Sequence, residues 1–224
     1  MTKRSVVLLS GGLDSSVLLA HLLRSGDEVR ALAVDYGQRH RRELSSAISV
    51  AGRCHVPIDV IDLSALRAAL PGSSQTDRDI PVPHGHYEAE SMKATVVPNR
   101  NMILLAVAGG ACAARGFDRI AIAAHAGDHA IYPDCRPEFI EAMRGALALC
   151  HYKPVEIFAP FVSMTKAEIV SLGAKLGVPL ELTWSCYERD FVHCGKCGTC
   201  FERREAFERA SVADPTKYAG GVLA

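Results

Sequence analysis

The chain has 224 residues, 25 basic side chains against 25 acidic ones, and a hydrophobic fraction of 49%. That length suits one domain, or one domain with an appendage, and a net charge of zero argues against a broad nucleic-acid-binding surface. No apolar run approaches the ~18 residues of a membrane-spanning helix, and residues 1–5 carry no leader-like apolar core, so a cytoplasmic protein without membrane or nucleic-acid partners is expected.

Val6, Val7, Leu8 and Leu9 form a wholly apolar run, as a strand buried on both faces requires. After Ser10-Gly11-Gly12, the residues Val17, Leu18, Leu19, Leu22 and Leu23 resume at helical spacing as far as Gly26. A second strand is expected over 29–34, a helix over 39–53 and a third strand over 57–63. Strands alternating with helices mark βαβ units, and so an α/β, Rossmann-like parallel sheet with helices on both faces. Residues 71–100 interrupt the rhythm with Pro71, Gly72, Pro81, Pro83, Gly85 and Pro98; in a compact domain such a stretch reads as a functional lid or a disordered loop. A helix over 101–115, a strand over 119–123, a polar loop over 125–137, a helix over 138–149 and a strand over 155–158 follow. Thr165-Lys166-Ala167-Glu168 has the capping-box spacing and opens a helix that should stop at Gly177, with Pro179 beyond. A boundary near 180 is expected to divide a nucleotide domain, 1–180, from a cysteine-rich helical segment, 181–224.

Ser10-Gly11-Gly12-Leu13-Asp14-Ser15-Ser16 lies between the first strand and the first helix, where an open parallel sheet places its ligand crevice. Glycines bring backbone N–H groups close to phosphate oxygens, and the helix adds unpaired donors and the positive end of its dipole. The loop lacks the lysine of a Walker A motif and does not fit G-x-G-x-x-G. A plain strand–helix turn using glycine for geometry is the alternative.

Of the 8 cysteines, Cys54, Cys112, Cys135 and Cys150 stand apart, whereas Cys186, Cys194, Cys197 and Cys200 crowd together. Clustering of this kind favours metal over a disulfide framework. Four thiolates close a tetrahedral zinc shell and leave no open position, which makes the expected zinc structural. Gly195 and Gly198 suit a tight knuckle; an iron–sulfur cluster or a nucleic-acid-binding zinc ribbon are the other readings of the spacing.

The Ser-Gly-Gly-x-Asp-Ser loop resembles the pyrophosphate loop of the N-type ATP pyrophosphatases. Further blocks, Asp35-Tyr36-Gly37-Gln38-Arg39-His40, Val97-Pro98-Asn99-Arg100-Asn101, the run Tyr132-Pro133-Asp134-Cys135 and Thr183-Trp184-Ser185-Cys186-Tyr187, resemble the 7-cyano-7-deazaguanine synthase family and occur in its order. The resemblance implies ATP-dependent conversion of 7-carboxy-7-deazaguanine and ammonia to the nitrile through an adenylated acid and an adenylated amide, by a homodimer. It implies ATP binding by Leu8, Leu9, Ser10, Gly11, Gly12, Leu13, Asp14, Ser15, Ser16, Val17 and Leu18, with Asp14 holding Mg2+ on the phosphates. It further implies catalytic roles for Asp14, Arg100, Lys166 and Asp134, and substrate binding by Arg100, Asn101, Tyr132 and Asp134. The family pattern often has Gly where this chain has Asn99, and Ser-Gly where Ala130-Ile131 stands. A tRNA-modifying enzyme with the same loop, and a nucleotide-binding zinc module without catalysis, are the rival readings.

The residues themselves leave choices open. Arg100 precedes a helix and can reach a phosphate or a carboxylate, or lie solvated. Lys166 sits in a helical first turn, where the dipole disfavours a cation, so an anionic partner is expected. Asp134 suits a base edge or a loop-capping turn. Cys135 is a nucleophile only if a base or a positive field activates it, and Trp184 and Tyr187 either stack on a purine or pack the knuckle.

Overall fold

The computed structural model describes residues 2–87 and 90–220; residues 88 and 89 of the proline-rich stretch and 221–224 of the cysteine-rich segment lie outside them. Five strands, β1 (Arg4–Leu8), β2 (Glu28–Asp35), β3 (Ile58–Asp62), β4 (Arg119–Ala121) and β5 (Glu156–Phe158), form one sheet in the order β3-β2-β1-β4-β5, every pair parallel. Seven α-helices join them: α1 (Leu13–Arg24), α2 (Arg42–Arg53), the short α3 (Leu66–Ala69), α4 (Arg100–Ala114), α5 (Pro137–Ala148), α6 (Lys166–Leu176) and α7 (Gly198–Arg209).

The apolar run of β1 is apolar throughout because both faces of the centre strand are covered. Val7, with Ala31, Ala33 and Ala121, faces α1, α2 and α6 through Val17, Leu18, Val50, Ile169 and Val170. Val6 and Leu8, with Leu32 and Ile120, face α4 and α5 through Leu105, Ala108, Ile140 and Leu147. Alternate residues of one strand thus feed two cores, each fully buried large side chain contributing about 1.5–3 kcal/mol. Ala206 and Phe207 of α7 belong to the first of these cores, so the cysteine-rich segment shares its packing with the sheet.

The capping box at Thr165 forms as its spacing predicts: its Oγ1 accepts from Glu168 N at 3.3 Å, while Glu168 Oε2 accepts from Thr165 N at 2.7 Å. Gly177, at φ +67°, ends α6 in the left-handed conformation. Asn99, just before α4, also lies in that region, at φ 59° and ψ 18°. Asparagine tolerates it better than other side chains, so the departure from a family glycine leaves the turn intact.

The described residues of 71–100 are ordered, which corrects the expectation of a disordered loop. Ser73, Ser74, Gln75 and Thr76 are buried, and a 3-10 turn spans Glu90–Thr95. Arg39 explains the packing: its Nη2 donates to the carbonyls of Asp77 at 2.7 Å and Ile80 at 2.9 Å, satisfying backbone that has no sheet partner. His84 bridges to Cys197, and Gly85 N donates to Lys196 O at 3.1 Å, so the stretch straps the cysteine cluster to the sheet domain.

Candidate active site

From β1 the chain moves to β2 on one side, and β4 lies on the other; their carboxyl ends open a crevice at this switch point. The glycine loop enters it from β1, and residues 122–128 enter it from β4. Gly11 has φ +85°, and a Cβ there would stand 2.2 Å from Glu43 O and 2.6 Å from Ala47 N, so the loop's seat against α2 requires glycine. Gly12 is the N-cap of α1 and offers no side chain to it, which leaves N–H groups of the first turn for an anion. Ser15 and Ser16 brace the turn: Ser15 Oγ accepts from Ser10 N at 3.2 Å, and Ser16 Oγ donates to Gly12 O at 2.8 Å.

Leu8, Leu9, Ser10, Gly12, Leu13, Asp14, Ser15, Arg100, Asn101, Tyr132 and Lys166 all line one cavity. Gly11 lies beneath it, and Ser16 turns back to the loop. Val17 and Leu18 are fully buried in the core and have no surface on the cavity. Asp134 is held elsewhere: its Oδ2 accepts from Asn101 N at 2.9 Å and its backbone carbonyl from Asn101 Nδ2 at 3.0 Å, so it caps the start of α4.

Asp14 and Lys166 meet across the crevice, with Lys166 Nζ donating to Asp14 Oδ2 at 2.6 Å and standing 3.4 Å from Glu202 Oε2. Burial alone would push the Asp14 carboxyl up, but Lys166 and His125 outweigh it and hold the group below the usual carboxylate range. Burial would likewise depress Lys166; Asp14, Glu202 and Asp128 together raise it, so the ammonium stays charged. Glu202 goes the other way, raised because burial exceeds the pull of Lys166 and His125. The expected anionic partner of Lys166 is therefore present within the protein. Asp14 Oδ1 is buried with no hydrogen-bond partner among the described residues, an oxygen suited to a hard cation.

Sequence reasoning missed several cavity residues. His125, only 1% exposed, accepts from Gly127 N at its Nδ1 (3.1 Å), and its Nε2 stands 3.4 Å from Lys166 Nζ and 3.5 Å from Asp128 Oδ2. The switch-point rule that singles out the glycine loop also applies to the loop after β4, so this pair had a usable signal. Tyr36, part of the Asp35-Tyr36-Gly37 block, lines the cavity too, as do Glu43, Tyr87 and Glu202, which no local pattern marks. Arg203 is a buried hub: it donates to Thr183 Oγ1 at 2.9 Å, Ser185 Oγ at 3.0 Å, Leu180 O at 3.0 Å and Thr216 Oγ1 at 2.7 Å. These bonds fix the segment around Trp184, whose backbone N donates to Gly11 O at 2.9 Å. Trp184 lines the cavity while its Nε1 donates to Cys186 O at 2.9 Å; Tyr187 likewise lines the cavity and packs on the knuckle.

Cys135 is 3% exposed and accepts from Asn101 Nδ2 at 3.2 Å. Burial, aided by Asp128 and Asp134, raises its thiol far more than Arg100 lowers it. Iodoacetamide at neutral pH is therefore expected to label exposed Cys150 and spare Cys135 in the native protein. Peptide mass spectrometry showing Cys135 labelled first would restore the nucleophile reading.

The sulfurs of Cys186, Cys194, Cys197 and Cys200 lie within 4.8 Å of one another, and all four residues are buried. Sulfurs at ~2.3 Å from a tetrahedral ion stand about 3.8 Å apart; Cys194 and Cys200 are separated by 3.9 Å. Backbone N–H groups of Glu188, Arg189 and Cys194 point at Cys186 Sγ, and those of Lys196 and Cys197 at Cys194 Sγ, as thiolates require. Sulfurs this close together suit a single ion better than a cubane cluster, whose ligands stand farther apart. Gly195 makes the knuckle turn at φ +74°; Gly198 serves close packing instead, because a Cβ there would lie 2.5 Å from Met92 Sδ.

Comparison with known proteins places these features. The family described as Queuosine biosynthesis protein QueC matches residues 4–211. The chain belongs to the QueC family. QueC relatives named 7-cyano-7-deazaguanine synthase are 52% identical in Allorhizobium ampelinum, over 95% of this chain and 91% of that protein, and 53% identical in Brucella ovis, over 96% and 93%. Among solved structures, an NMN synthetase from Francisella tularensis matches this QueC chain at TM-score 0.49 and 15% identity, covering 84% of this chain and 66% of that one.

Proposed function

We propose that the chain is a 7-cyano-7-deazaguanine synthase, an ATP-dependent ligase that converts 7-carboxy-7-deazaguanine and ammonia to the nitrile in queuosine biosynthesis. The observation that carries this reading is that one cavity joins the glycine loop and the Asp14–Lys166 pair to a second group, Arg100, Tyr36, Tyr132 and Tyr187, able to seat an anionic aromatic acid.

A carboxylate is a poor electrophile with a poor leaving group, and adenylation repairs both defects. The substrate carboxylate attacks the α-phosphorus of ATP and the bond to the bridging oxygen breaks. The first-turn N–H groups of α1 and the Lys166 ammonium take up the charge gathering on pyrophosphate. Arg100, whose guanidinium lies 5.7 Å from the centre of the Tyr132 ring, holds the acid in line. Ammonia adds to the acyl carbon, AMP departs and the amide forms. The amide oxygen takes a second adenylyl group, and loss of AMP and the N–H protons leaves the nitrile. Mg2+, which neutralises phosphate charge, would be held through Asp14 Oδ1. Zn2+ would be held by Cys186, Cys194, Cys197 and Cys200 in a structural role. A homodimer in the cytoplasm completes the reading; among the described residues, no helix is long and apolar enough to cross a membrane.

The test is product analysis with nucleotide labelled at the α-phosphate, the acid and ammonium. Two AMP per nitrile are expected. ADP as the labelled product, or no acid-dependent turnover, overturns the proposal.

A further inference from the structure

The charged residues of the cavity fall into two groups. Asp14, Lys166, His125, Asp128 and Glu202 are linked to one another by ion pairs and close contacts. Glu43 stands outside this group. It lies in the first turn of α2 and lines the cavity, and its side chain forms no hydrogen bond or ion pair among the described residues. Arg100, Tyr36 and Tyr187 line the same cavity. Its backbone is fixed, since Glu43 O packs directly on Gly11 of the glycine loop.

We infer that Glu43 reads the hydrogen-bond donor edge of the deazaguanine base, an assignment that rests on the proposed function. The base presents a ring N–H beside an exocyclic amine, two parallel donors that match the two oxygens of a carboxylate. Adenine presents one donor beside a ring acceptor, whose lone pair would face the second oxygen. A lone carboxylate in this cavity therefore selects the acid substrate over the nucleotide's own base. The aromatic rings of Tyr36 and Tyr187 beside it offer faces for a flat heterocycle. Burial raises the Glu43 carboxyl to about 7, only partly offset by Arg100, as befits an acid that finds its donors in the ligand.

The discriminating experiment compares 7-carboxy-7-deazaguanine with its analogue lacking the 2-amino group, in wild type and in Glu43→Gln. Losing one hydrogen bond to a charged acceptor corresponds to roughly a 10–100-fold change. Wild type is expected to disfavour the analogue by that factor, and Glu43→Gln to raise KM for the natural acid by a similar factor, erase the discrimination and leave KM for ATP in place. Glu43→Gln that keeps the discrimination, or that raises KM for ATP instead, overturns the inference while leaving the proposed function standing. Should the variant not fold, competition with wild type decides. 7-Deazaguanine should displace the acid and 7-deazaadenine should not; equal displacement by both overturns the inference. Wild type that neither binds nor converts the acid overturns the proposed function itself, and this assignment with it.

Discussion

Lys166→Met is expected to lower pyrophosphate release by ~10²–10³-fold, the cost typical of losing one preorganised charge at a transition state. The same change also removes the partner of two carboxylates. Asp14, 2.6 Å from the ammonium, and Glu202, 3.4 Å away, would face each other without a cation between them. Breaking such a pair costs up to about 3–5 kcal/mol, less where the orphaned acid protonates. Loss of activity could then be mistaken for loss of folding, and a second substitution separates them. Asp14→Asn/Lys166→Met leaves only Glu202 without its cation, an acid that burial already favours protonating, and should regain much of the stability. It should regain none of the turnover, because neither the cation for pyrophosphate nor the Asp14 carboxylate returns. Denaturation midpoints and pyrophosphate release on the two single variants and the double variant complete the cycle. A double variant that turns over near the wild-type rate would remove the pair from the chemistry.

Much of this architecture was legible because single-residue physics dictates it. An apolar run on both strand faces needs cover on both sides, and Val6 and Val7 find it in α4 and α1 respectively. Gly11 is required by its conformation and by its contact with α2, which a Ser-Gly-Gly sequence after a strand announces. The capping box marks the start of α6 to the residue. What escaped depends on tertiary contacts. Residues 71–100 look unstructured because their order comes from Arg39, remote in sequence, and from backbone contacts to the knuckle. Asp134 lies outside the cavity lining with its Oδ2 turned to the N-terminus of α4, a contact no local pattern announces. Glu43 and Glu202 are ordinary helical acids in sequence; only the fold aims them into the crevice. Charged residues on amphipathic helices are usually solvated, so local reasoning passes over them.

Stripping the metal is expected to inactivate the enzyme without unfolding the sheet. Structural zinc sites can supply ~10–16 kcal/mol of apparent binding free energy, which in a zinc finger is the whole of folding. Here most of the two cores flanking the sheet comes from residues outside the knuckle, with Ala206 and Phe207 of α7 joining one of them, so removal should loosen the segment the cysteines hold and leave the sheet folded. That segment matters for the cavity: Cys197 is the N-cap of α7, and Thr199 and Glu202, within its first turn and a half, line the crevice. Arg203 on the same helix anchors Thr183 and Ser185 on either side of Trp184, and Trp184 N holds Gly11 O. Loosening α7 therefore reaches the glycine loop in two steps. One zinc per chain by elemental analysis is expected. Chelation, or Cys200→Ser, should abolish turnover and expose residues 186–204 to protease, while most of the circular-dichroism signal persists. Metal-free protein that keeps its turnover would separate the knuckle from the active site, and a chain that carries iron would overturn the zinc assignment.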